Sequence, residues 1–327
     1  MFRPYALSVL ALLTLAPSAG SDGSADFQPR GVRELVSELG GADPSARARA
    51  ACGLRELGDN AAEAIQPLVT MLGDAAPVES AVCSRRWWRG NANDLTSPGE
   101  QAAAALVAIG SRVFQPVLAT LRAVSWAARR NAAWALGALD DQRAVSALVE
   151  ALKDREAAVR EQVAWALGAI DDNTAVPALV DALKDADARV RRQAAWALGA
   201  IDDRRATPAL SAALTDADDR TREQAAWALG AIDDNTAVAA LVRALGDGAA
   251  PVRQQSAWAL GAIDDPRAVD GLVHALADAS SGVREQAAWA LGAIGDRRAL
   301  PGLLPSLKDA DASVRKQAAW AIGVIGK

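Results

Sequence analysis

Between residues 171 and 201 the apolar positions fall into two helical runs separated by one break. Val176, Leu179, Val180 and Leu183 lie at i, i+3, i+4 and i+7, the spacing of one face of a helix. "KDAD" interrupts the pattern, and Asp187 stands where a carboxylate can accept from the free N–H groups of a following helix. A second helical run extends from about Arg189 to Ile201. At about 100° per residue, Val190, Ala194, Leu198 and Ile201 share one side, which must be the buried stripe. Trp196 falls roughly opposite, flanked by Arg192, Gln193 and Ala200. The spacing therefore predicts a tryptophan directed away from the core of its own helix pair.

This two-helix sentence is repeated. Trp134, Trp165, Trp196, Trp227, Trp258, Trp289 and Trp320 follow one another at intervals of 31 residues. An arginine stands five residues before each (Arg129 to Arg315) and a glycine three residues after each (Gly137 to Gly323). Such a period predicts an elongated stack of helix pairs rather than a globular domain. The regular units occupy residues 110–327, and degenerate units precede them at 31–109. Cys52 and Ala104 take the tryptophan position in the first two units. An insertion at about 75–98 carries Cys83, Trp87, Trp88 and the turn-forming "GNAND" and "SPG". In the last unit, which continues to Lys327 without a polar cap, Leu303 and Leu307 are expected to be exposed.

Alanine and leucine dominate and the alternation of strands is absent, so the fold is expected to be all-α. A net charge of −5 and a pI near 5.1 argue against a nucleic-acid partner, which would want a basic stripe. Residues 1–20 read as a signal peptide: Arg3, an apolar run from Tyr5 to Ala16, then "PSAG". That run is short for a bilayer span, although an uncleaved anchor is the competing reading. Residues 21–30 read as a disordered lead-in. The mature chain is thus expected to be exported, periplasmic or extracellular, with no stable membrane insertion. In that setting Cys52 and Cys83 are expected to pair, two unpaired thiols being the alternative.

The signature "AVPALVDALKDADARVRRQAAWALGAI" resembles the short bacterial HEAT-like repeats of phycobilin-lyase subunits, over about residues 31–327. The resemblance implies a right-handed α-solenoid of about nine two-helix repeats, with second helices on the concave side. It says little about activity. Deoxyhypusine hydroxylase, in the same superfamily, holds iron through His-Glu pairs, whereas this chain has one histidine, His274, and no such pair. No short lyase motif can be matched, and no "GxSxG", P-loop or metal-ligand spacing occurs. No catalytic residue, metal or cofactor is therefore assigned.

The candidate binding face consists of the seven tryptophans with Gln162, Gln193, Gln224, Gln255, Gln286 and Gln317, each three residues earlier and beside its indole. One residue before each glutamine the copies differ: Glu161, Arg192, Glu223, Gln254, Glu285 and Lys316. Aromatic platforms, amides with two donors and two acceptor sites, and a variable charge suit an extended protein or peptide segment. By analogy the ladder is similar to the peptide groove of armadillo repeats. A glycan stacking on the indoles is the alternative, and a lyase or oxidoreductase a weaker third. The bland readings are indoles filling troughs between units and glutamines bonded into a structural ladder. The recurring arginines (160, 191, 222, 253, 284 and 315) and aspartates (141, 172, 203, 234, 265 and 296) are expected to hold successive units together.

Overall fold

The structure, a computed structural model, describes residues 31–83 and 95–326. The signal-peptide and lead-in readings, and Trp87 and Trp88 of the insertion, lie outside them.

The described chain is an all-α solenoid of consecutive antiparallel helix pairs. One unit shows the plan. A single turn of 3-10 helix, Asn173–Ala175, leads into the short first helix α9 (Val176–Ala182). The second helix, α10 (Ala188–Ile201), follows. Its N-cap is Asp187, whose carboxylate accepts from the Arg189 N–H at 2.9 Å. Val190, Ala194 and Leu198 are fully buried and Ile201 nearly so, which is the stripe that the periodicity predicts. The flanking units repeat the plan: second helices α6 (Trp126–Ala138), α8 (Ala157–Ile170), α12 (Asp219–Ile232), α14 (Ala250–Ile263), α16 (Ser281–Ile294) and α18 (Ala312–Ile325).

Second helices pack directly on second helices, whereas the regular first helices meet their neighbours chiefly through the 3-10 turns. The reason is residue size. A Cβ added at Gly168 would come within 2.7 Å of the Ala197 Cα, and one at Gly199 within 2.8 Å of the Ala228 Cα. Backbones approach closely only because those positions are glycine and alanine.

The units are also joined by charge, but not through the expected partners. Arg191 donates through Nε and Nη2 to Asp216 of the next unit at 2.7 and 2.8 Å. Its Nη1 donates to the Asp185 and Ala186 carbonyls of its own loop at 2.9 and 3.2 Å. Asp216 also accepts from the Asp218 N–H at 2.8 Å. One ion pair therefore ties a helix and two loops, and it recurs at Arg129–Asp154, Arg160–Asp185, Arg222–Asp247, Arg253–Asp278 and Arg284–Asp309. The aspartates at 141, 172, 203, 234, 265 and 296 instead cap the 3-10 turns of their own units. Their partners are two residues ahead, such as Arg205 N–H on Asp203 at 2.9 Å.

Two other features depart from the sequence reading. The insertion contains a two-residue antiparallel strand pair, Val78–Glu79 with Leu95–Thr96. In α17 (Leu300–Ser306), Leu303 is fully buried and the exposed residue is Leu304, with Leu307 exposed as expected.

The second helices from α8 to α14 end on an aspartate in the left-handed region (Asp171, Asp202, Asp233, Asp264), and Gly295 takes that place after α16. A carboxylate there faces the negative end of the helix. Burial, and then the charges of Asp202, Asp140 and Asp172, raise the Asp171 pKa; burial, then Asp233 and Asp265, raise that of Asp264. A folded pKa above the unfolded value means that the ionised group costs stability, and that the cost disappears as pH falls through the raised value. The inter-unit aspartates act in the opposite sense. Hydrogen bonds from Arg160, Arg222 and Arg253 hold Asp185, Asp247 and Asp278 low, and Arg284 holds Asp309 at about 2. Their contribution is present above the ordinary carboxylate value of 3.8 and is lost below it. Urea midpoints are therefore expected to rise slightly as pH falls from neutral, then drop in acid. Asp171→Asn with Asp264→Asn should remove the rise and leave the acid limb in place.

Candidate functional site

From α8 onward each second helix presents its tryptophan along the edge nearest the preceding unit. The sequence places Trp196 opposite the buried stripe, and the structure turns that side toward α8. The Cζ3 edge of Trp196 fits over Gly168, where an added Cβ would lie 2.8 Å from it. Trp165 sits over Gly137 in the same way, and Trp227, Trp258, Trp289 and Trp320 over Gly199, Gly230, Gly261 and Gly292. The indoles therefore do fill a trough, yet they are not sealed. Trp134, Trp165, Trp196, Trp227, Trp258 and Trp289 remain half-buried. Trp320, in an equivalent notch with no described unit after it, is 43% exposed, so the following unit covers part of each inner ring.

The rings form a row rather than a continuous stack. Trp134 and Trp165 lie face to face, with centroids 6.4 Å apart and planes 9° from parallel, the one stacked pair among the described residues. Further along the row the rings are separated. Between Trp196 and Trp227 a cavity of about 360 Å³ opens, lined also by Arg192, Arg220, Glu223, Gln224 and Gln255.

Gln162, Gln193, Gln224, Gln255, Gln286 and Gln317 are half-buried beside these rings. None of their side chains makes a hydrogen bond within the described residues, and the Gln286 Oε1 is buried without a partner. The bonded glutamine ladder is therefore absent from this structure. The second and third units differ at the same position. Gln101 donates to Thr96 Oγ1 at 3.0 Å, and Asn131 donates to the Leu72 carbonyl at 2.9 Å. Where the position has a structural task, its amide is bonded; in the units from α8 onward it is not.

The variable position is mixed in charge. Glu161 and Arg192 approach each other at 4.0 Å. Glu223 and Glu285 form no ion pair among the described residues. At the N-terminal end of the row Cys52 and Cys83 form a disulfide, with Cα atoms 5.9 Å apart. Both are buried, so the tryptophan position of the first unit is occupied by a cross-link to the insertion. Sequence reading also left Trp126 out of the site; it is 42% exposed beneath the Arg130 guanidinium at 5.8 Å. It stands in the sequence as an addition to its unit, and its place outside the 31-residue period left it without an assigned role.

Among the described residues no three His, Cys, Asp or Glu side chains converge as metal ligands, and His274 is exposed on α15 (Val269–Ala275). The arrangement offers flat apolar faces, unspent amides and a few charges, which are means of binding.

Helix pairs stacked into a superhelix, with one row of recognition-type side chains, define a solenoid repeat protein. This chain belongs to the HEAT-repeat family: the family described as HEAT repeats matches residues 114–195, 176–260 and 244–323. The PBS lyase HEAT-like repeat matches residues 46–74. No curated protein matches the chain in sequence. Among solved structures, Escherichia coli YibA is similar at 21% identity and a TM-score of 0.59, over 84% of this chain and 94% of that one. Kap95p, in a structure where it binds RanGDP, is similar at 16% identity and a TM-score of 0.65. That match covers 90% of this chain and 47% of the other. At these identities the likeness is one of fold.

Proposed function

We propose that the chain is a non-enzymatic scaffold that binds an extended protein segment along its row of second helices. The observation that carries this reading is the contrast between the Gln101 and Asn131 amides, which are bonded, and the regular glutamines, which are not. Of these amides only the Gln286 Oε1 is buried without a partner; the others open to solvent, where a guest's backbone can take the place of water. A peptide backbone supplies donors and acceptors at about 3.3 Å per residue, so roughly three residues span the 8–10 Å between packed helices. The indoles add apolar contact. The HEAT-repeat fold supports the coarser part of this reading, since Kap95p uses it to bind Ran. The Cys52–Cys83 bond supports the exported location proposed from the N-terminal segment.

Tryptophan substitutions are a poor test, because the rings also pack. Trp196→Ala, Trp227→Ala and Trp258→Ala are each expected to lower stability by about 1.5–3 kcal/mol. The glutamines separate binding from folding. Gln193→Ala, Gln224→Ala and Gln255→Ala together should leave the melting temperature within about 2 °C. A displayed library of short random peptides should be enriched by the wild-type chain. The selected peptides should bind the triple variant at least about tenfold more weakly, at about 0.5–1.5 kcal/mol per lost hydrogen bond. Peptides that bind both chains equally, or a glycan array that the wild type recognises while no peptide is enriched, would overturn the proposal.

A further inference from the structure

We infer that the step between Trp196 and Trp227 selects an acidic side chain in the bound peptide, with Arg192 and Arg220 as the specificity-determining residues. The inference rests on the peptide reading above and adds a charge preference at one register position.

The cavity at this step is lined by two guanidinium groups and one carboxylate, between two half-buried indoles and two unbonded amides. Most arginines of the chain are already committed. The inter-unit arginines hold aspartates of the next unit. Arg189 is paired with Asp187 at 2.7 Å, and Arg205 with Asp203. Arg130 is held by Glu100 and lies over Trp126. Arg220 differs. It is exposed at the edge of the cavity and forms no ion pair or hydrogen bond among the described residues, not even with Glu223 one helical turn on. Arg192 contributes a second, nearly uncommitted charge, since its contact with Glu161 is long at 4.0 Å.

In the same register no other step has two arginines: the Trp165–Trp196 step pairs Glu161 with Arg189, which Asp187 already holds, the Trp227–Trp258 step Glu223 with Pro251, and the Trp289–Trp320 step Glu285 with Ser313. At the Trp258–Trp289 step the residues corresponding to Arg220 and Arg192 are Pro251 and Gln254 on one helix and Gly282 and Glu285 on the next. Around Trp134 and Trp165 the corresponding residues are Ala127 and Arg130, then Ala158 and Glu161. A carboxylate lowered between Trp196 and Trp227 meets two planar forks matched to its oxygens. Glu223, on the same wall, disfavours a second acidic residue directly beside the first. Between otherwise equivalent units, charge of this kind sets which segment binds and in which register.

The test uses the full chain and a displayed library of short peptides in which one central position is Glu, Gln or Lys and the rest are random. Wild type should enrich the Glu-bearing peptides. A synthetic pair that differs only as Glu or Lys at that position should be separated by about tenfold or more in affinity, the gap narrowing with added salt. Arg192→Glu with Arg220→Glu should invert the preference at unchanged melting temperature, because neither group is part of the packed core. Arg192→Gln with Arg220→Gln should abolish it. Peptides enriched without any acidic preference, or a preference that survives charge reversal, would sink this inference and leave the peptide reading standing. Failure of wild type to enrich any peptide would sink both.

Discussion

Gly199→Ala is expected to destabilise the protein by about 2–4 kcal/mol. The ordinary effect of that substitution inside a helix is a gain of about 0.5–1 kcal/mol. The sign reverses because the new methyl group has nowhere to go: it would stand 2.7 Å from the Trp227 Cζ3 and 2.8 Å from the Ala228 Cα. A ring can tilt, but backbone on a packed helix cannot withdraw without parting the two units. Removing the ring as well, in Gly199→Ala with Trp227→Ala, should therefore recover only part of the loss. Gly323 provides the control. It occupies the same register of α18, and an added Cβ meets nothing within 4 Å. Gly323→Ala should be neutral or gain up to about 0.5–1 kcal/mol. Urea unfolding of the two single variants decides the matter, since equal effects would mean that the close approach of the second helices is not what places the tryptophans.

Arg191→Ala is expected to cost about 3–5 kcal/mol, the range for removing one partner of a largely buried ion pair. Side-chain exposure is 15% for Arg191 and 13% for Asp216. The substitution strips the carboxylate of its fork and leaves the Asp185 and Ala186 carbonyls without that donor. Arg191→Lys should recover little, because an ammonium cannot span two carboxylate oxygens and two carbonyls from one plane. In an array, stability is a sum of unit terms and joints, so a weakened joint in the middle should also loosen cooperativity. Calorimetry should show the wild-type transition broadening or dividing in Arg191→Ala, and the effect should be smaller for Arg47→Ala near the irregular end. A variant that melts as one sharp transition at the wild-type temperature would contradict the role assigned to the pair.

The architecture was legible in the sequence because period and amphipathicity are local properties of a chain. Val190, Ala194, Leu198 and Ile201 follow from counting along a helix, and each is buried. The offset between neighbouring units is not local. Two strictly recurring sets of aspartates were available to the arginines, one containing Asp172 and the other Asp185, and periodicity ranks them equally. The structure chooses the set containing Asp185, whose carboxylate lies 2.6 Å from the Arg160 Nε of the preceding unit. A hint was present in Asp74, which continues that set into an irregular unit and accepts from Arg47 at 2.6 Å. Leu303 keeps the 31-residue register of the buried Leu179, Leu210, Leu241 and Leu272, so the period itself points inward; the expectation of exposure came from the missing cap, and it is Leu304 that faces out. At the candidate site the sequence supplied the residue types and their adjacency. Whether an amide is bonded depends on what lies across the gap, and only coordinates show that.

Interchangeable joints also make the molecule modular in the genetic sense. Excision of residues 203–233, a block of 31, would set Arg191 opposite Asp247 and Gly199 beneath Trp258, restoring a seam like the one removed. Recombination between near-identical coding segments could then shorten or lengthen the tract by whole units without disturbing what remains. A shorter tract would offer its guest one fewer foothold, and this excision would also delete Arg220 and leave Arg192 beside the neutral Gln254. Evolution of this chain can thus adjust reach and selectivity by editing copy number, a coarser dial than point mutation and a gentler one for folding.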